Sequence, residues 1–250
     1  MTSETPSRQV ASVSRALQIL ELLIAAPLHE LGVTEIARGI GVVKSSAHQL
    51  LSTLASHGFV ETSAGSGRYR LGVGLMEAGA VASQQLGLGP GVLPMLEALV
   101  SEVGETCSLG VLVGTNISLL QRVEAQSVLR VDLKVGTRFP AQTSAIGRVI
   151  LSEMAQEQRD QVLEQMNLPE HERQAFLQEL DKVRQDGCAI VNNIPVEGIG
   201  AIAVAVRPSA QGPVAGLVVA APAFRFNPEA WRAPLQRTAA MIAARGIRKF

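Results

Sequence analysis

A chain of 250 residues, 47% of them hydrophobic, with 22 basic residues against 22 acidic ones, can bury one or two ordinary cores. It has no charge surplus with which to grip a polyanion non-specifically. The longest apolar runs, 199–206 and 214–221, fall short of the roughly 20 residues of a membrane span. The polar start MTSETPSRQ lacks a signal-peptide core, and Cys107 and Cys188 stand in no ligand-like spacing. A cytoplasmic protein without disulfide framework, metal site or cofactor is expected.

Residues 1–10 are predicted to lack regular structure. From Val13 to Ile24 the positions Val13, Ala16, Leu17, Leu20 and Ile24 form one helical stripe, and Pro27 ends that helix. The next stretch, Val33 to Leu54, reads as two short helices about a tight turn. Ile36, Ala37 and Ile40 share a face of the first, and Ala47, Leu50, Leu51 and Leu54 repeat the i, i+3, i+4, i+7 spacing on the second. Gly41 between them is the residue type that takes the positive φ of a sharp inter-helix turn. With its inner face apolar, the second helix turns Lys44, Ser45, His48, Gln49, Ser52 and Thr53 outward, where they suit phosphates or base edges. Ser46 is grouped with them as a DNA-binding candidate.

Gly58 suits the end of that helix. FVET and RYRL, separated by SAGSG, then alternate as a short hairpin with a flexible tip. Helix, helix-turn-helix and hairpin in that order make a winged helix-turn-helix, so double-stranded DNA is the expected partner. Arg68 and Arg70, two apart in a strand, are predicted to point the same way beside the wing and to meet phosphates; intramolecular salt bridges are the alternative. Residues 1–75 hold six basic groups against five acidic ones, a surplus of one, so placement matters more than total charge. Arg15 either touches a DNA backbone or pairs with a carboxylate such as Glu21. His29, His57 and His171 have no spacing partner and are read as surface residues.

GLMEAGAVASQQLGL, within 73–88, reads as a linker helix stopped by Gly-Pro-Gly at 89–91. Gly72, Gly74 and Gly79 fail the dinucleotide fingerprint in spacing and setting, which leaves close helix packing as their reading. Beyond Val92 the pattern is mixed. A helix at LPMLEALVSEVG precedes strands at CSLGVLVG and ISLLQRVE, which turn at Thr115-Asn116, and VLRVDLKVG continues the sheet. The loop TRFPAQTS leads to helices at Ala145–Met154, Gln156–Leu168 and Arg173–Asp186, the last closed by Gly187. GAIAVAVRP and GPVAGLVVAAP are strands joined through SAQ, and a final helix runs from about Pro228 to Arg245, with Trp231 packing it onto the sheet. Arg130, Asp132 and Lys134 share a strand face, most simply a solvated one. No G-x-S-x-G elbow, H-E-x-x-H or P-loop is present, so no enzyme is expected.

The order and spacing of VSRALQILELL, TEIARGIGVVKSSAHQLLSTL, GRYRLG, VGTRFPAQTSAIGRVILS, ELDKVRQDG and GAIAVAVRPSAQGPVAGLVVAAPAFRF resemble the IclR family of bacterial transcription regulators over nearly the whole chain. The resemblance implies an α+β protein. A winged helix-turn-helix DNA-binding domain would span 1–72, a linker helix 73–90, and a GAF-like effector-binding and oligomerisation domain with a mostly antiparallel sheet 91–250. It also implies a homodimer or dimer of dimers on a roughly palindromic operator, as repressor or activator. Two departures fall on the reading helix. Gln49 stands where relatives often carry arginine, which favours an adenine contact, and Val43 replaces a frequent proline, so the helix start is less firmly defined.

A third departure concerns the effector. The positions with which relatives bind small polar acids carry over, by resemblance, to Leu119, Ser144, Ala145, Val191, Ala201, Val218 and Ala220. All but Ser144 are apolar here. Such a lining does not compensate the desolvation of a small dicarboxylate, so the expected effector is a more hydrophobic or aromatic acid, its carboxylate meeting Thr143, Ser144 or nearby backbone amides. The alternatives are a pocket filled by core side chains in a ligand-independent regulator whose C-terminal domain only oligomerises, and a GAF-type sensor module.

Overall fold

A computed structural model describes residues 10–26, 28, 30–85, 87–127, 133–207 and 215–245. The expected lead-in at 1–9, Pro27, His29, Arg130, Asp132 and the SAQ turn at 209–211 lie outside these residues. Two compact units divide the chain, Met1–Ala82 and Ser83–Phe250. No described helix is long and apolar enough to cross a membrane.

The first unit holds α1 (Ala11–Ala25), α2 (Val33–Gly39), α3 (Lys44–Ser56), β1 (Val60–Thr62), β2 (Tyr69–Leu71) and, up to Ala82, α4 (Val73–Gln85). Ile19 and Leu23 of α1, Ile36 of α2, Leu51 of α3 and Val60 of β1 form its core. The Gly32 N–H donates to the Glu35 carboxylate at 2.7 Å where α2 begins, satisfying one of the amides a helix start leaves unpartnered. Gly41, at φ +67°, makes the turn into α3, and Val42 N–H closes it on the Ala37 carbonyl at 2.9 Å. Although Val43 offers no side-chain cap, it is extended and α3 starts cleanly at Lys44.

The stripe that spacing singles out on α1 is only partly the one the core uses: Leu20 packs against the core and Ala16 is half-buried. Val13 and Leu17 are each 56% exposed and Ile24 46%, while Ile19 and Leu23 are fully buried. Because α1 is apolar on more than one stripe, periodicity alone does not choose between them; the packing of α2 and α3 does. The wing gains a third rung, since Leu31 and Tyr69 exchange backbone hydrogen bonds of 3.0 and 2.8 Å. Gly72 allows β2 to leave against the end of α3: a Cβ there would lie 2.2 Å from the Gly58 carbonyl oxygen. Gly74 N–H donates to that same oxygen at 2.9 Å. These glycines therefore serve backbone packing.

The second unit holds α5 (Leu93–Val103), β3 (Thr106–Val113), β4 (Asn116–Val123), β5 (Arg138–Pro140), α6 (Ala145–Glu153), α7 (Gln156–Met166), α8 (Glu170–Asp186), β6 (Ala189–Asn192), β7 (Ile199–Val206), β8 (Ala215–Pro222) and α9 (Pro228–Ala244). Its sheet runs β5-β4-β3-β8-β7-β6, and every neighbouring pair is antiparallel. On one face Leu96 and Leu99 of α5 and Trp231, Leu235 and Ile242 of α9 pack over Leu109, Val204 and Leu217. On the other, Ile146 and Ile150 of α6 and Leu180 of α8 meet Ile117, Ala203 and Val218. Trp231 also meets the Phe226 ring edge-on, 5.6 Å between centroids.

The sheet has two edge strands that the sequence pattern does not announce. Arg138–Pro140, predicted as loop, forms the edge strand β5 on β4. Most of VLRVDLKVG, expected to continue the sheet, lies outside the described residues; its end turns, with Thr137 N–H on the Lys134 carbonyl at 3.0 Å and Gly136 at φ +88°, and is held to β4 by Gly136 N–H on the Leu119 carbonyl at 2.8 Å. Ala189–Asn192, not anticipated at all, is the edge strand β6 on β7. Four residues after a helix-ending glycine are too few for a period to declare itself.

Candidate functional site

Two groups of residues stand out, one in each unit. On α3, Ala47 and Leu51 are buried and the opposite ridge exposes Ser45, Gln49 and Ser52, flanked by the exposed Lys44 and His48. Ser46 is half-buried at the margin of this ridge. The Thr53 hydroxyl donates back to the Gln49 carbonyl at 3.0 Å, so it is engaged with its own helix. Arg38, exposed in the last turn of α2, is a further cation that pattern reading passed over.

The wing arginines do not act as a matched pair. Arg68 lies one residue before β2, so strand alternation does not govern it. Its Nη2 donates to the Glu35 carboxylate at 2.8 Å and to the Glu30 carbonyl at 3.2 Å. Arg70 instead donates through Nε to Glu61 at 2.7 Å, its cross-strand register partner. Both are thus ion-paired within the first unit. The Gly32 amide, joined by the Arg68 guanidinium, holds the Glu35 carboxyl below the usual glutamate range. Ser63, at the other side of the wing, donates to the Glu30 carboxylate.

In the second unit a cavity of about 60 Å³ lies between the sheet and α6, several times what one water needs. Leu119 of β4, Ser144 and Ala145 at the start of α6, Val191 of β6, Ala201 of β7 and Val218 and Ala220 of β8 all line it. Residues from five separate stretches are thereby brought together. Thr143 is not in the lining; its hydroxyl donates to the Pro140 carbonyl at 3.2 Å. Ser144 Oγ accepts from the Gly147 N–H at 3.1 Å and so caps α6. Gly216 lets α6 sit this close to the sheet, for a Cβ there would lie 2.7 Å from Ile146 Cγ2.

The lining also contains residues that sequence reasoning missed. Ile194, Pro195 and Val196, from the β6–β7 loop, add apolar wall. That loop is pinned at its neck by Asn193 Oδ1, which accepts from Gly198 N–H at 2.9 Å. Arg122 and Ser108 correct the expectation that Ser144 is the one polar side chain. The Arg122 side chain is only 4% exposed, its Nε 3.8 Å from the Glu124 carboxylate, and its Nη1 donates to Ser108 Oγ at 3.2 Å.

Strand alternation would put Leu119 and Arg122, three apart, on opposite faces. The register shows why they share one. Gly110 faces Leu119 but Leu109 faces Gln121, so Leu120 is an extra, bulged residue that re-aims the side chains after it. The remaining chemistry is inert. Cys107 and Cys188 are buried, and desolvation pushes both thiols above their usual range. Among the described residues no group of three His, Cys, Asp or Glu is placed to hold a metal ion.

Residues 12–64 match the family described as the IclR helix-turn-helix domain, and residues 82–245 that described as the bacterial transcriptional regulator IclR C-terminal domain. The HTH-type transcriptional regulator KdgR of Escherichia coli (strain K12) is 31% identical, with 99% of this chain and 96% of that protein covered. The probable transcriptional regulator SauR of Cupriavidus necator is 30% identical over 87% of this chain and 88% of its own. Among solved structures, an IclR transcriptional regulator from Alicyclobacillus acidocaldarius superposes with a TM-score of 0.83 at 25% identity, covering 96% of this chain and 100% of its own. An IclR homolog from Microbacterium hydrocarbonoxydans, complexed with 4-hydroxybenzoate, gives 0.80 at 23% identity over 94% and 98%.

Proposed function

This chain belongs to the IclR family of bacterial transcriptional regulators, which pair a DNA-binding helix-turn-helix with an effector domain, and from that premise we propose what each part recognises. The ridge of α3 reads the operator in the major groove, with Ser45, Gln49 and Ser52 on base edges and Lys44 and His48 on phosphates or bases. The DNA-binding domain spans 1–72, a linker helix 73–90 and the effector domain 91–250. The effector is a small acid with a hydrophobic or aromatic body, bound by Leu119, Ser144, Ala145, Val191, Ala201, Val218 and Ala220.

The observation that carries this reading is the cavity itself, walled mostly by apolar side chains drawn from separate strands, loops and the start of α6 in the second unit. Such walls reward apolar ligand surface by about 25 cal/mol per Å² and leave a small polyanion uncompensated. The ligand 4-hydroxybenzoate, held by the Microbacterium relative, is of the favoured class. Occupancy changes operator affinity only through unequal affinity for two arrangements of the protein.

A homodimer, alone or paired into a tetramer, provides those arrangements on a roughly palindromic operator. Exposed Val13, Leu17 and Ile24 on α1, with Val10 just before it, follow the 3-4-7 spacing of a helix seam, which suits a second copy of the same helix. The effector part is tested by thermal shift and operator binding with aromatic and aliphatic monocarboxylates beside small dicarboxylates and keto acids. Stabilisation by the polar acids alone overturns it. Response to none of them favours a ligand-independent regulator.

A further inference from the structure

We propose that Arg122 is the anion anchor of this cavity and that the effector is a monoanion, one carboxylate on an apolar body. The inference rests on the effector reading above and specifies its chemistry. Among the described residues, Arg122 is the one charged side chain in the lining. It is buried on the same face as Leu119 because of the Leu120 bulge. A bulge that turns an arginine into an otherwise apolar cavity runs against the strand's own alternation, and bulges of this kind re-aim side chains beside functional sites.

A guanidinium carries five N–H donors in a planar fork. It therefore serves a ligand carboxylate in two-pronged geometry in addition to its protein partners, which include Ser108 at 3.2 Å and the more distant Glu124. Ser144, whose oxygen accepts from Gly147 N–H to cap α6, has a single neutral O–H to give, whereas the guanidinium supplies the charge and two parallel donors. Ile194, Pro195 and Val196 of the β6–β7 loop offer no donor side chain. One carboxylate is thus matched and a second is left against hydrocarbon, so the cavity selects by charge number as well as by polarity.

The test is calorimetric titration of the full-length protein with benzoate and its uncharged isostere benzamide, and with hexanoate and hexanamide. Wild type is expected to bind an acid at least tenfold tighter than its amide, and Arg122→Gln to bring that ratio close to one with the thermal melt retained. Arg122→Lys, which keeps the charge and loses the fork, is expected to fall between. An undiminished acid-to-amide ratio in Arg122→Gln overturns the anchor while leaving the apolar cavity reading intact. Equal binding of acid and amide by wild type overturns it without recourse to any variant. Absence of binding by all four probes overturns the effector reading and the anchor together.

Discussion

Arg68 Nη2 lies 2.8 Å from the Glu35 carboxylate, tying the base of the wing to the start of α2. The same guanidinium reaches the Glu30 carbonyl, and Glu35 also takes the Gly32 amide. The arginine nearest the wing is therefore a strut between wing and helix-turn-helix.

If that strut sets the wing, Glu35→Gln and Arg68→Ala weaken operator binding in the same direction, by the small amount that a solvent-screened exposed pair contributes. Simple charge arithmetic says the opposite for Glu35→Gln, which removes a negative group near DNA. Anisotropy titrations over a salt series separate the roles. The slope of log K against log salt stays put for Arg68→Ala, and falls by about 0.9 if the residue contacts a phosphate. Lys44→Ala is expected to show that fall.

Gln49 occupies the exposed ridge of α3 with no charge of its own. Gln49→Ala should lower operator affinity by roughly 1–3 kcal/mol and leave binding to random duplex nearly unaltered. Equal losses on both DNAs would mean that Gln49 reads no base.

The core of the first unit gives a stability pair. Leu51 is fully buried, and Leu51→Ala should cost about 2–5 kcal/mol by urea denaturation. Gly72→Ala, whose Cβ would meet the Gly58 carbonyl at 2.2 Å, should cost about 1–3 kcal/mol through forced backbone movement. Ser52→Ala, on the exposed ridge, should stay within about 0.5 kcal/mol.

Leu17→Glu places a charge in the exposed α1 stripe without touching the fully buried Ile19 and Leu23. Sedimentation at micromolar concentration should show a lighter species than wild type, with little change in helical content. An unchanged assembly would locate the subunit contact elsewhere.

Burial raises the thiol pKa values of Cys107 and Cys188, so neither should react with Ellman's reagent at pH 8 until the protein is unfolded. The folded values lie above the unfolded ones. This contribution to stability is therefore full below the ordinary thiol range and declines as pH rises beyond it. Rapid labelling of the native protein would contradict the packing around both.

Local rules sufficed wherever a residue's role depends on its near neighbours in the chain. The period of Ala47, Leu50, Leu51 and Leu54, the turn at Gly41 and the glycine stops at 58 and 187 all follow from backbone geometry over a few residues, which is why the helices and the reading ridge were legible. The family resemblance brought Leu119, Val191, Ala201 and Val218 to notice one by one, but no spacing says that they surround one space. Three-dimensional packing alone decided three matters. Which apolar stripe of α1 is buried depends on where α2 and α3 lie. Whether Arg68 faces DNA or Glu35 depends on a contact across 33 positions of chain. Arg122 enters the cavity because a single extra residue, Leu120, inverts the alternation that a sequence reader must assume. Such a bulge is a matter of pairing register between two strands, and register exists only once the partner strand is in place.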